Sequence, residues 1–186
     1  MPPKIRIAKK DIVNAALDIV RRSGAESINA RTVASALNCS TQPIFSNFST
    51  MEELRLAVVQ RADEMCGEYI RQEVESGRFP VYKASGMAYI RFAKEEGELF
   101  KLLYMRDRTN EVIPEGSALG NEMEAVVHNN TGLGGKEAKL FHLEMWAFVH
   151  GIAAMFATGF LDLEWELVSK MLTDCYQGLK KQYGKG

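Results

Sequence analysis

From Lys9 almost to the end of the chain, apolar residues recur at intervals of three and four, the spacing of one face of an α-helix. Ile12, Ala15, Ala16, Ile19 and Val20 line a first helix. Arg21 and Arg22 fall in its last turn, where cations suit the helix dipole, and Gly24 follows as its stop. Asn29 is a good N-cap for a short second helix that ends near Leu37 and turns Val33, Ala34 and Leu37 inward. Asn38-Cys39 makes a brief turn, and Asn suits the left-handed backbone that a sharp corner needs. Ser40 is expected to cap a third helix with Pro43 in its first turn and an apolar face of Ile44, Phe45 and Phe48. Thr50-Met51-Glu52-Glu53 reads as a capping box that opens a long fourth helix, ending at Ser76-Gly77 and Pro80.

The same periodicity continues beyond Pro80. It predicts helices over 83–96, with Gly97 as a stop, and over 99–104, then a mainly loop segment over 107–120. Another helix starts near Glu122, and residues 129–135 form the clearest flexible segment. Two long helices close the chain, 136–158 and 164–182, joined by a turn at 159–162. No strand pattern, repeat or low-complexity tract interrupts this. The expected fold is all-α, with about nine helices in two parts: residues 1–50, a basic arm and three short helices, and residues 51–186, a helical body entered through helix four (51–76).

Composition narrows the class. At 186 residues, 46% hydrophobic and 25% charged, the chain has enough sequence for a buried core and is not of a disordered type. No uninterrupted apolar run approaches the ~20 residues of a membrane span, and the basic N-terminus lacks the apolar core of an export signal. Three cysteines are too few for a disulfide framework. A cytoplasmic protein without a membrane partner is expected. The net charge of −1 hides an asymmetry: residues 1–48 hold seven basic and three acidic side chains, a net of +4. The remaining 16 basic and 21 acidic residues leave −5. A basic N-terminal module on an acidic body suits a polyanion.

The chemistry gathers in that module. Three short helices, the second and third joined by a tight turn and preceded by a basic arm, form a helix-turn-helix pattern. A helix fits the major groove of B-DNA and presents its first turns to base edges. Ser40, Thr41, Gln42 and Pro43 open the third helix here, with Phe45, Ser46 and Asn47 one turn on. Gln pairs with adenine through two bonds, and the Thr methyl touches thymine. Arg31 is placed for a phosphate or a guanine. Lys9 and Lys10, with Lys4 and Arg6, are placed for backbone contacts that position without specifying. Phe45 belongs to this segment, although the pattern favours core packing for it as for Phe48.

Residues 9–60 resemble the DNA-binding domain of the TetR family of transcriptional regulators. The resemblance rests on Lys9-Lys10-Asp11-Ile12, Arg31-Thr32-Val33-Ala34-Ser35-Ala36-Leu37-Asn38-Cys39-Ser40, Ile44-Phe45-Ser46-Asn47-Phe48 and Met51-Glu52-Glu53-Leu54. Trp146-Ala147-Phe148-Val149-His150-Gly151 is similar to a Trp-x-x-x-His-Gly signature in one group of TetR C-terminal domains. The resemblance implies a bacterial homodimer on double-stranded operator DNA, usually a repressor, with a C-terminal domain that binds a small effector. Three positions depart from the family's habit: Phe45 stands where Tyr is frequent, Met51 where Lys is, and Asn38 where the turn has Gly.

Beyond the motif, the apolar set Met87, Phe92, Phe100, Tyr104, Met123, Phe141, Met145, Phe148 and Ile152 suits either an effector pocket or ordinary core. Ala147, Gly151, Ala154 and Thr158, with Val168, Leu172, Cys175 and Leu179, form two stripes on the last two helices that suit a four-helix dimer interface or an internal contact. His128, His142 and His150 lack the spacing that puts two imidazoles on one ion, so no metal is expected. Nor is a cofactor, and no nucleophile, paired-carboxylate or phosphate-loop constellation marks an enzyme. The leading expectation is a ligand-released, DNA-binding regulator acting on a palindrome. The alternatives are a helical dimeric scaffold that no longer uses its motif on DNA, and a regulator switched by oxidation of Cys39.

Overall fold

The computed structural model describes residues 7–106 and 121–184, with backbone alone for residues 121–124. Lys4, Arg6, the expected loop over 107–120 and the Met123 side chain lie outside the described residues. Among those described there are nine α-helices and no strand. They are α1 (Lys9–Ser23), α2 (Ala30–Ala36), α3 (Gln42–Asn47), α4 (Met51–Glu75), α5 (Val81–Glu95), α6 (Gly97–Tyr104), α7 (Asn121–Thr131), α8 (Gly135–Ala157) and α9 (Trp165–Gln182). The described residues fall into two compact units, one of residues 7–67 and 96–106, the other of residues 68–95 and 121–184.

The first unit holds α1–α3, the larger part of α4, and α6. Its core is the inward stripe of α1 (Ile12, Ala16, Ile19, Val20) closed by Ile28, Val33, Ile44, Phe48, Leu54 and Val58, with Leu99 and Phe100 from α6. Arg21 fastens the end of α1 to the start of α6 by a two-pronged pair with Glu96, Nε to Oε2 at 2.8 Å and Nη2 to Oε1 at 2.7 Å. Gly24 ends α1 at φ +77°, a backbone conformation that other residues rarely adopt, and a Cβ there would also press the Glu98 carboxylate at 3.2 Å.

The second unit is built on α5 packed against α8, with α7 and α9 alongside. Gly86 lets α5 come close: a Cβ there would lie 3.1 Å from Leu172 and 3.5 Å from Val149. At one end Phe141 sits edge-on to Tyr176 (5.6 Å) and Tyr183 (5.8 Å). Glu73, 4% exposed, is held by Arg91 at 2.8 Å and Arg78 at 3.2 Å. A carboxylate at that depth is tolerated because both cations reach it.

Two local expectations need correction. The segment 129–135 is not a loose linker: α7 runs on to Thr131 and α8 begins at Gly135. The Thr131 hydroxyl donates to the Val127 carbonyl and accepts from the Leu133 N–H, and Leu133 is fully buried. Glycine-rich sequence there makes a tight joint, since Gly132 and Gly135 both take positive φ. Gly97 does not stop α5; it opens α6 after a single-residue break at Glu96.

Candidate nucleic-acid interface

The side-chain oxygen of Asn29 accepts from the N–H groups of Arg31 and Thr32, both at 3.0 Å, and the Thr32 hydroxyl accepts from the Asn29 N–H at 3.1 Å. This reciprocal cap fixes the start of α2. Its end is a Schellman turn: Cys39 N–H bonds the Ala34 carbonyl at 3.0 Å and Asn38 N–H bonds that of Ser35 at 3.2 Å. Asn38 takes φ +51°, the left-handed residue the corner requires.

Ser40 does not cap α3. Thr41 occupies the cap, and its carbonyl receives the N–H groups of Ile44 and Phe45. No side chain caps the helix, because Pro43 has no N–H to give and the Ile44 N–H already goes to the Thr41 carbonyl. On α3, Gln42, Phe45 and Ser46 are exposed on one side, while Ile44 and Phe48 are buried on the other. The core expectation thus holds for Phe48 and fails for Phe45, which is 52% exposed. Of the remaining candidates, Arg31, Ser40 and Lys10 are exposed, whereas Thr41, Pro43 and Asn47 are half-buried.

Several groups work within the unit. Asn47 Nδ2 donates to the Pro43 carbonyl at 2.8 Å and reaches the Ile7 carbonyl at 3.5 Å, tying the base of the arm to α3. Lys9 pairs with Glu53 at 3.1 Å and lies 4.6 Å above the Phe48 ring. Glu53 also accepts the Ser49 N–H at 2.7 Å; this bond and Lys9 hold its carboxyl below the ordinary value. The capping box is therefore half realised: Thr50 Oγ1 accepts the Glu53 N–H, but Glu53 reaches back to Ser49. Arg55 braces the segment just ahead of α2 through the Ile28 carbonyl at 3.2 Å. Sequence reasoning missed Arg55 because its partner lies 27 residues away, outside any helical period. Among the described residues Lys10 forms no ion pair, which leaves it the freer candidate for a phosphate.

In the second unit, Met87, Phe92, Phe141, Met145 and Ile152 are buried and Phe148 is half-buried. Phe100 and Tyr104 lie in α6 of the first unit, so the apolar set is not one cluster within either unit. Two polar pairs cross from α5 to α8: Tyr82 Oη to His142 Nδ1 and Tyr89 Oη to His150 Nδ1, each at 3.0 Å. Trp146 stacks on His150 at 4.8 Å, which gives the Trp-x-x-x-His-Gly segment a structural reason. Burial holds the His150 imidazole below its ordinary value of 6.5. The unfolded state therefore binds this proton more readily, and the contribution from His150 is lost as pH falls below about 6.5. We expect the urea midpoint to drop as pH falls below about 6.5, and to drop less in His150→Asn; parallel curves would remove His150 as the cause.

The dimer candidates divide. Val168 and Leu172 are buried within the unit, and Cys175 and Leu179 pack on the cluster of Val127, Leu133, Phe141 and Met145. Val168 and Leu172 are thus spent on the chain's own core, and Cys175 and Leu179 only in part. On α8, Ala147 and Thr158 are exposed and Gly151 and Ala154 half-buried. They continue a stripe that sequence reasoning missed, begun by exposed Leu140 and Leu143; Leu167 is likewise exposed on α9. Burial pushes the Cys66 thiol up to about 11, and burial and Glu144 raise that of Cys175. Both shifts disfavour the reactive thiolate. Cys39 is half-buried in the turn.

The sequence profile described as "Tetracyclin repressor-like, C-terminal domain" matches residues 82–174, half of the chain. No curated protein matches. A TetR-like transcriptional regulator from Rhodococcus sp. RHA1 superposes with a TM-score of 0.67 at 14% identity, over 95% of this chain and 96% of its own. A protein from Pseudomonas aeruginosa PAO1, assigned as a transcriptional regulator, gives 0.68 at 12% identity, over 93% and 90%. These structures share the all-α fold, and the profile adds the kinship: the chain belongs to the TetR family of transcriptional regulators.

Proposed function

We propose that this regulator is a cytoplasmic repressor that binds palindromic operator DNA as a homodimer and leaves it when a small, largely apolar effector binds. The observation that carries the DNA reading is the α2–turn–α3 corner, locked by Asn38 and presenting Gln42, Phe45 and Ser46 on one exposed face of a basic segment. Arg31 and Lys10 supply flanking phosphate contacts, and Ser40 and Thr41 stand at the mouth of the reading helix. Gln42 is the principal base reader, through its two-bond match to adenine. Gln42→Ala should cost about 1–3 kcal/mol on the preferred sequence and relax the choice at one position per half-site. Equal loss on every sequence would reduce Gln42 to a positioning contact.

Two helices support the dimer. By length and composition α8 is apolar enough to cross a membrane, yet only 39% of its most apolar stretch is buried within the chain. A helix hydrophobic on nearly all sides needs a second partner. The stripe Leu140, Leu143, Ala147, Gly151, Ala154 and Thr158 on α8 faces a second copy, with Leu167, Met171 and Gly178 on α9. Gly151 and Gly178 are mid-helix glycines at which a Cβ would meet nothing within 4 Å, unlike Gly86. Close approach of a partner helix explains them.

The effector reading rests on the buried α5–α8 core, where Met87 and Met145 adapt and the Tyr82–His142 and Tyr89–His150 pairs offer polar anchors. An effector shifts the protein only by its differential affinity for the two states. Selection from a random duplex library at ~150 mM salt tests the whole reading. A palindrome with half-sites about 34–36 Å apart is expected. No enrichment by a folded dimer, at this or lower salt and free of co-purified ligand, would replace it with the scaffold reading.

A further inference from the structure

We propose that Phe45 reads thymine, through the C5-methyl group of one thymine in each half-site; the inference rests on the DNA-binding reading above. The polar groups beside Phe45 are largely turned on the helix itself. Ser46 Oγ donates to the Gln42 carbonyl at 2.9 Å, and Asn47 Nδ2 to that of Pro43 at 2.8 Å. What α3 extends from its outer face is the Gln42 amide and the Phe45 ring, half of it in solvent.

A single exposed phenyl needs no explanation on an ordinary surface. This one lies on the reading face of a segment whose net charge of +4 suits a polyanion. A phenyl ring neither donates nor accepts hydrogen bonds, so it gains little from phosphate and cannot match the polar edges of guanine, adenine or cytosine. The one apolar group that base edges present in the major groove is the thymine methyl. A ring seated there separates thymine from cytosine by contact, and A·T from T·A by the strand that carries the methyl. Gln42 and Phe45 lie one helical turn apart, so a hydrogen-bond reader and an apolar reader address neighbouring bases.

The experiment uses the full-length protein and the duplex recovered by selection, with each symmetry-related pair of thymines replaced in turn by deoxyuridine. Affinity is followed by fluorescence anisotropy. At one position wild type should lose about four-fold for each methyl removed, the worth of burying one such group. Phe45→Ala should bind the thymine and uracil duplexes alike, and Phe45→Leu should keep part of the difference, which separates lost contact from lost folding. Equal binding of both duplexes by wild type at every position would overturn the proposal. So would a difference that persists in Phe45→Ala, which would assign the methyl to another residue such as Thr41. Failure to select any duplex removes the DNA-binding reading itself and this inference with it; a selected duplex indifferent to uracil removes this inference alone.

Discussion

Gly151→Arg should convert the protein to a monomer and lower its operator affinity by about 100-fold or more. The magnitude follows from losing the second half-site: linked binding events exceed single ones by about 10²–10⁴ without any new contact. The substitution is chosen because the isolated chain accommodates it. A Cβ at Gly151 meets nothing within 4 Å, and arginine is the better helix former. Helical content should therefore be unchanged, and sedimentation should report half the mass. At Gly86, also mid-helix, the same change would strike Leu172 and Val149 inside the unit and misfold it. A Gly151→Arg protein that stays dimeric and binds its operator normally would move the interface off α8.

The pair of glycines also shows where sequence reading stops. Helix positions, the Asn29 cap and the Asn38 corner were legible because each depends on residues within one or two turns. Which face of a helix is inward is not a local property. Helix α9 carries a stripe of Val168, Leu172, Cys175 and Leu179 that any periodicity reading finds, but the same pattern serves an interface or a core. Only packing assigns it, and here Val168 and Leu172 are buried by their own unit. On α8 the stripe of small residues was visible, while its continuation through Leu140 and Leu143 was hidden in a helix that is apolar on most sides. Phe45 illustrates the converse. Aromatic character argued for burial, yet Ile44 within the six-residue α3 and Phe48 at its end fill the inner side and leave Phe45 outside. Lys9, Asn47 and Arg55 reach partners 44, 40 and 27 positions away, and no pattern of spacing announces such contacts.

Phe141 brings the same question to the effector site, because a buried aromatic serves a pocket wall or a core equally well in sequence. Its side chain is fully buried, meets Tyr176 and Tyr183 edge-on, and lies among Val127, Leu133, Ala138 and Met145. Phe141→Ala should accordingly cost about 3–5 kcal/mol, the transfer of the ring plus the cavity it leaves. That is a large part of the ~5–15 kcal/mol that holds a native protein together, so the variant should be loosened well below the wild-type midpoint in urea. Phe148→Ala, at a half-buried site on the same helix, should cost clearly less. If Phe141 instead lines a preformed effector cavity, the penalty falls well below that range, and the variant accepts bulkier apolar ligands. The size of this one free-energy change thus separates a core held for folding from a cavity held for the effector. A value at the upper end would place effector binding nearer the Tyr89–His150 pair, where Trp146 and the half-buried Phe148 line the same helix.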